Sequence, residues 1–279
     1  MGTVQAGRNT VKRAAANPIL ELLERLGYVV RGALYAVMGL LALGIALGVG
    51  GQTTDLSGSL VFLISNPLGK LVLVVVAVGL GAYSLWGFIR AIYDPLHRGR
   101  DAGGYAARLG FVSSAISYAA IVLFALQILV GSGGGAGDST QKSIAAILIH
   151  PGGGPLTIVI GLVAILIGLG QFLEAYRATF KEDLKGAEMS TSERDIAIKL
   201  GRFGMFARGV IFLIIGWFLV PAGLHHDAGQ VQGFGGAFLF LLGQQFGRVV
   251  LGIVALGFVA LGLHSFACAR WIRLMGNTA

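Results

Sequence analysis

Charged side chains are scarce in this sequence of 279 residues. Asp, Glu, Lys and Arg make up 12% of it, against about 25% in a typical soluble domain. Cysteine occurs once, at Cys268, which excludes an internal disulfide. Residues 1–17 are basic but have no apolar core. We therefore expect no cleavable secretory signal there, and insertion driven by the first spanning segment itself.

Recognisable catalytic motifs are also missing. The sequence contains no HExxH zinc site, no nucleophile elbow and no Rossmann fingerprint. The run GSGGGAGDST at 131–140 resembles a phosphate loop but lacks the GK[ST] element, and we interpret it as a flexible loop. We therefore expect that the protein is not an enzyme and that it binds no cofactor.

Apolar residues and glycine dominate instead. Hydrophobic residues make up 55% of the sequence, and 45 residues are glycine. A helix needs about 20 apolar residues to cross roughly 30 Å of hydrocarbon. Six stretches are long enough: 28–49, 69–90, 109–130, 156–177, 206–224 and 248–270. The pattern predicts an all-α polytopic membrane protein with six transmembrane helices, the fifth being shortest because Pro221 and a polar run end it.

Basic side chains indicate the orientation of these helices. All of the 21 Lys and Arg residues except Lys70, Lys142 and Arg248 lie in the N-terminal segment, the second and fourth connections, or the C-terminus. The positive-inside rule then predicts that both termini are cytoplasmic, in the inner (plasma) membrane of a bacterium. Because the basic residues face a membrane surface, we expect no binding of nucleic acid.

One two-helix unit is repeated three times. With Arg25, Arg108 and Arg202 aligned, two further columns are Arg31, Ser114 and Arg208, and Tyr35, Tyr118 and Phe212. Repetition in one orientation predicts a pseudo-threefold axis along the membrane normal. The predicted units are an N-terminal segment with an interfacial helix, three repeats and a cytoplasmic tail, at 1–27, 28–91, 92–178, 179–271 and 272–279.

Two short cytoplasmic helices are predicted. Pro18 follows Asn17, which suits an N-cap and a first helical position, and residues 18–27 are predicted to form an interfacial helix before the first span. Ser190 and Glu193 match a capping box, which predicts a similar short helix before the fifth span. The alternative is ordinary packing on a cytoplasmic loop.

Each outer loop carries one aspartate followed by an apolar stretch that is too short to span. These aspartates are Asp55, Asp138 and Asp227. We interpret the stretches as short helices at the outer interface and the aspartates as structural caps; a shared ion site is the alternative. His225 and His226 have metal-ligand residue types, but adjacent ligands in a loop without cysteine are weak support, and we predict no metal site.

The repeats resemble a known family. The segments RLGYVVRGALYAVMG and ARGVIFLIIG, the outer aspartates and Pro67-Leu68-Gly69 are similar to the bacterial membrane family called domain of unknown function 1206. The resemblance covers about residues 20–275 and implies six spans in three two-helix repeats. It implies no activity, substrate or catalytic residue. The middle repeat departs from the pattern, because Ser114 replaces the arginine.

Arginines near the cytoplasmic boundary are the candidates for binding lipid or an anion. They are Arg31, Arg208, Arg25, Arg108 and Arg202. Arg31 and Arg208 lie deeper than the others, and we expect their long side chains to reach the interface, where anionic lipid attracts basic residues. The alternatives are a specific anionic ligand, since arginine suits bidentate phosphate binding, and a docking surface.

Small residues and one histidine complete the interior candidates. Pairs at i, i+4, such as Gly32/Ala36 and Ser113/Ser117, predict grooves for neighbouring helices. His264 is the deepest histidine and a weak candidate ligand for a cofactor such as haem. The alternative is a neutral histidine that hydrogen-bonds a neighbouring helix.

These features lead to a ranked set of functions. The first is an accessory or scaffold subunit that packs with membrane proteins, with lipids or with further copies of itself. The second is a channel or carrier for a small, possibly anionic, solute along the pseudo-threefold axis. An enzyme ranks third, since no catalytic set can be assembled.

Overall fold

The computed structural model describes residues 18–50, 56–64, 69–94, 102–130 and 139–271. Within these ranges the protein is helical and has no strand. Nine α-helices occur there: α1 Pro18–Leu47, α2 Leu56–Ile64, α3 Gly69–Tyr93, α4 Ala102–Leu129, α5 Ser139–Leu148, α6 Gly153–Arg177, α7 Thr191–His225, α8 Phe234–Leu242 and α9 Gly247–Trp271. Three short 3-10 helices are Thr179–Asp183, Gly186–Glu188 and Ala228–Gln230.

Six of these helices are long and apolar enough to cross a membrane. Their candidate spans are Glu24–Leu47, Gly69–Tyr93, Gly103–Leu129, Gly153–Arg177, Thr191–His225 and Gly247–Trp271. The prediction of an all-α protein with six spans in three tandem repeats is therefore confirmed. Each repeat consists of a long helix, a short outer helix and a second long helix. The repeats are thus α1–α3, α4–α6 and α7–α9.

The separate cytoplasmic helices predicted before the first and fifth spans do not occur. Residues 18–27 are the first turns of α1, which continues unbroken to Leu47. The capping box is present, since Ser190 Oγ accepts from Glu193 N and the Glu193 carboxylate accepts from Ser190 N. This capping box starts the whole of α7. In both α1 and α7 no proline separates the predicted short helix from the span that follows it, so each forms one continuous helix.

The fifth span is the longest helix rather than the shortest. It has 35 residues and contains Pro221 in its last turns. Proline removes one helical hydrogen bond, but neighbouring transmembrane helices can compensate for that loss. The helix ends at His225, and His226 then adopts a left-handed conformation with φ 53°. The polar run therefore ends this helix, and the proline does not.

The largest interfaces between long helices join one repeat to the next. The second long helix of each repeat packs against the first long helix of the next one. These pairs are α3 with α4, α6 with α7, and α9 with α1. The two long helices inside the first and third repeats also pack together, whereas α4 and α6 are not among the well-packed pairs of the described residues.

Glycines allow the backbones of α6 and α7 to approach closely. They recur at seven-residue spacing: Gly154, Gly161 and Gly168 on α6, and Gly209, Gly216 and Gly223 on α7. A Cβ at Gly216 would lie 2.6 Å from the carbonyl oxygen of Gly161, and a Cβ at Gly223 would lie 2.7 Å from that of Gly154. Only glycine permits such contact, because real Cβ atoms do not come this close to backbone atoms.

The predicted small-residue pair Gly32/Ala36 lies in an equivalent interface. A Cβ at Gly32 would be 2.9 Å from the carbonyl oxygen of Gly262, and a Cβ at Gly262 would be 2.9 Å from the backbone nitrogen of Ala36. This close approach joins α9 to α1, and so connects the last repeat to the first.

The three short helices follow the predicted stretches and turn apolar side chains inward. Leu60 of α2, Ile144 of α5 and Phe238 of α8 are at most 4% exposed. Leu60 belongs to a core formed mainly by the first repeat and α4. Ile144 and Phe238 join a second core with α1, α7 and α9. The short helices are thus integral to the packing of the outer half.

Gly216→Ala should weaken the α6–α7 interface. The added methyl group meets the Gly161 carbonyl, and overpacking of this kind costs about 1–3 kcal/mol. Gly170→Ala on α6 is the control, because nothing lies within 4 Å of its Cβ position. Thermal unfolding in detergent should show a lower midpoint for Gly216→Ala and an unchanged or higher one for Gly170→Ala. Equal midpoints for the two variants would contradict this packing.

Candidate functional site

Two arginines and four tyrosines meet inside the bundle. This central cluster consists of Tyr28, Arg31, Tyr35, Tyr83, Tyr118, Arg208 and Ser265. Five of the six long helices contribute to it, and α6 does not. Tyr28, Arg31 and Tyr35 lie three and four residues apart on α1, so they share one helix face. The whole cluster therefore forms where the face of α1 meets helices of all three repeats.

Arg31 is enclosed by hydroxyl groups and aromatic rings. Its Nη1 donates to the Tyr83 hydroxyl at 2.7 Å, and its Nε donates to Ser265 Oγ at 3.2 Å. Its Cζ lies 5.1 Å from the ring centre of Tyr28 and 5.5 Å from that of Tyr83, within the range of cation–π attraction. Arg31 therefore turns toward α3 and α9 and away from the lipid.

Arg208 enters the same cluster from the third repeat. Its Nη1 donates to the Tyr35 hydroxyl at 3.3 Å. The Tyr35 and Tyr118 hydroxyls in turn hydrogen-bond each other at 3.1 Å, and both tyrosines are at most 3% exposed. The three repeats thus meet through side chains of two columns of the repeat alignment, the one that contains Arg31 and Arg208 and the one that contains Tyr35 and Tyr118. Tyr35 and Tyr118 occupy the position that Phe212 fills in the third repeat.

The remaining candidate arginines lie outside the central cluster. Arg108 donates to the Asp94 carboxylate at 2.8 Å. Arg202 is exposed and donates to the carbonyl oxygen of Tyr176 at 3.3 Å, and Arg25 is half-buried. The structure therefore separates the five predicted candidates into an interior pair, Arg31 and Arg208, and three peripheral residues.

Sequence reasoning missed a buried ion pair. Arg90 at the end of α3 hydrogen-bonds the carboxylate of Glu24 on α1, and both side chains are almost fully buried. Arg90 also donates to the Tyr28 hydroxyl at 3.3 Å. The equivalent arginines Arg177 and Arg270 are exposed. The available signal was that Glu24 is acidic and stands at the start of a span, where the other repeats have no such residue.

Comparison with known proteins identifies the family. A family model described as Domain of Unknown Function (DUF1206) matches residues 26–94, 109–178 and 203–271. The chain belongs to this family. It is also 34% identical over 248 residues to the uncharacterized protein YxxB of Bacillus subtilis (strain 168). The alignment covers 89% of this chain and 90% of that protein. No solved structure matches the chain.

The three DUF1206 matches coincide with the three structural repeats. Each match begins near the aligned arginine of a first long helix and ends at or just after a second one. The predicted family resemblance and the tandem-repeat architecture are thereby confirmed. The family description attaches no activity to the repeats, so the chemistry of the central cluster has to be argued from its own contacts.

His264 is fully engaged by neighbours. Its Nδ1 lies 2.9 Å from the carbonyl oxygen of Ala197, and its Nε2 lies 3.4 Å from Cys268 Sγ. Because a carbonyl can only accept, Nδ1 carries the proton and Nε2 accepts from the thiol. The Phe180 ring packs edge-on at 4.9 Å. Ligation of a cofactor by His264 would have to displace Cys268 from Nε2.

The outer aspartates are only partly within the described residues. Asp227 Oδ1 accepts from Gly229 N at 2.8 Å and caps the 3-10 helix Ala228–Gln230. Asp55 and Asp138 lie outside the described residues. His225 Nδ1 faces the Gln230 side chain at 3.3–3.4 Å. No group of three or more His, Cys, Asp or Glu residues that could hold a metal occurs in the described part of the chain.

Arg90→Gln should destabilise the protein strongly. It leaves the Glu24 carboxylate buried without its cation, and loss of one partner of a buried ion pair costs about 3–5 kcal/mol. Arg177→Gln removes the aligned arginine of the second repeat, which is exposed, and should change stability by less than about 0.5 kcal/mol. Thermal unfolding in one detergent measures the stability of both variants. Similar losses of stability for the two would contradict the difference in burial between Arg90 and Arg177.

Proposed function

We propose that the protein is a non-catalytic membrane subunit that packs through its middle repeat against another membrane protein or a second copy of itself. The observation that carries this proposal is the poor packing of α4 on α6. The two long helices inside the first and third repeats pack together, but α4 and α6 are not among the well-packed pairs of the described residues. They are also the least buried spans, each with 22% of its apolar window inside the protein.

One face of α4 has the composition of a helix-packing surface. Gly110, Ser113 and Ser117 follow at helical spacing on the side turned away from Ala115, which packs on Gly87 of α3. Gly110 and Ser117 are exposed, and nothing lies within 4 Å of the Cβ position of Gly110. Helices in lipid associate by close packing of small residues and not by hydrophobic burial. This face is therefore suited to a further transmembrane helix.

The proposed setting is the bacterial plasma membrane with both termini in the cytoplasm. Support comes from the basic residues, which concentrate in the segments predicted to be cytoplasmic. Exposed or half-buried arginines such as Arg25, Arg202 and Arg270 would then lie near anionic headgroups. We expect neither a cofactor nor nucleic acid among the partners.

Gly110→Leu combined with Ser117→Leu should disrupt the assembly. The two leucines fill the groove, so a partner helix can no longer approach the α4 backbone. Native mass spectrometry after extraction in mild detergent should show a defined oligomer or complex for the wild type and its loss in the variant.

Gly81→Leu is the matched control, because Gly81 lies on α3 with nothing within 4 Å of its Cβ position. It should leave the assembly intact. A wild-type protein that is a monodisperse, partner-free monomer contradicts the proposal, and so does equal loss in Gly81→Leu.

A channel or carrier for a small anionic solute is the second candidate. It is favoured by the two guanidinium groups in the bundle interior. Proteoliposomes loaded with an anion-sensitive dye should then show flux of phosphate or chloride, reduced at least about tenfold by Arg31→Gln with Arg208→Gln because two cationic binding groups are lost. Absence of flux of any tested anion would count against transport while leaving the subunit proposal standing.

A further inference from the structure

The central cluster has more hydrogen-bond donors than acceptors. Arginine supplies several N–H donors and no acceptor. The acceptors that Arg31 and Arg208 reach are the hydroxyl oxygens of Tyr83, Ser265 and Tyr35. Arg208 Nε is buried and has no hydrogen-bond partner among the described residues. The excess of donors therefore includes a buried N–H group of Arg208.

The phenols add further protons to this excess. Tyr83 accepts from Arg31, so its own O–H points elsewhere, and no acceptor for it occurs among the described residues. Tyr35 and Tyr118 share one hydrogen bond, in which one hydroxyl donates and the other accepts. The accepting hydroxyl then keeps a proton with no acceptor in the described part of the protein. At least two phenolic donors thus remain to be satisfied.

The central cluster also carries positive charge that no described carboxylate balances. Arg31 and Arg208 each carry a positive charge at any ordinary pH, and neither forms an ion pair with a described carboxylate. Among the described residues Glu24 is the one buried acidic residue, and it hydrogen-bonds Arg90 instead. Buried charges in proteins are ordinarily paired or neutralised. What the cluster lacks is a group that is both negatively charged and rich in acceptors.

We infer that the central cluster binds an oxyanion of the phosphate type between Arg31, Arg208 and the phenols of Tyr83 and Tyr118. Two guanidinium groups match the charge of a phosphate monoester or diester, and their planar forks suit its oxygens. The inference goes beyond the packing role proposed above and does not depend on it. The phosphate belongs either to a free ion or to the headgroup of an anionic lipid.

The repeat alignment explains why the cluster has two arginines and not three. Ser114 stands where the other repeats have Arg31 and Arg208, and it has a short neutral side chain. The third repeat likewise has Phe212 where the others have Tyr35 and Tyr118. The departure from the repeat pattern therefore leaves one arginine from α1 and one from α7 to hold a single anion.

The test uses the full-length protein in a nonionic detergent at constant ionic strength. The first probe is inorganic phosphate titrated against chloride, with the thermal unfolding midpoint as readout. The second probe is phosphatidylglycerol in nanodiscs, with native mass spectrometry counting the lipids retained relative to phosphatidylcholine. A saturable midpoint increase with phosphate identifies a free ion, and selective retention of phosphatidylglycerol without that increase identifies a lipid headgroup; either result supports the site.

The variants distinguish this site from general charge effects. Arg208→Gln should weaken binding of the effective probe at least about tenfold, as expected for loss of a buried charged partner. Lys199→Gln removes an exposed cation from the same helix and should leave binding unchanged. Tyr118→Phe keeps the shape and the charge, so it reports on the site even if Arg208→Gln fails to fold, and it should weaken binding a few-fold.

Three results would overturn the inference. The first is a wild-type protein that responds to neither probe. The second is equal binding by Arg208→Gln and Lys199→Gln, or, should Arg208→Gln not fold, undiminished binding by Tyr118→Phe. The third is a red-shifted ultraviolet absorption at neutral pH that Tyr35→Phe abolishes, because an ionised phenol would then supply the negative charge itself.

Discussion

Close approach of backbones between repeats is the interaction on which the rest of the structure depends. Lipid is as apolar as the side chains it surrounds, so helices gain little from hydrophobic burial and must gain from contact instead. The glycines that face each other on α6 and α7, and the Gly32–Gly262 contact between α1 and α9, bring main chains together. Those two interfaces set the order of the helices, which brings Arg31 and Arg208 into the central cluster.

Sequence reasoning reached the helices, the repeats and the capping box because each depends on local pattern: apolar length, period and the types of residue at one helix end. It misjudged the start of α1 and the length of α7, where nothing local marks a boundary inside a continuous helix. It expected the Arg31 side chain to reach the membrane interface and did not foresee its contacts with Tyr83 and Ser265, because these residues are 52 and 234 positions away. The Glu24–Arg90 pair was missed for the same reason.

The middle repeat carries most departures from threefold symmetry. It has serine in the arginine column, and its two long helices are not among the well-packed pairs of the described residues. Its second long helix, α6, adds no side chain to the central cluster. The amide oxygen of Gln171 on α6 is also buried without a hydrogen-bond partner among the described residues. The middle repeat therefore lacks the packing between its two long helices that the first and third repeats have.

The α9–α1 interface joins the last transmembrane helix to the first. During synthesis, α1 enters the membrane long before α9 exists, and until then its glycine face and Arg31 have no Ser265 or Gly262 to meet. The contact between α1 and α9 can therefore form only after α9 has been synthesised. Without α9, the glycine face of α1 and the Arg31 side chain would lack the backbone of Gly262 and the hydroxyl of Ser265.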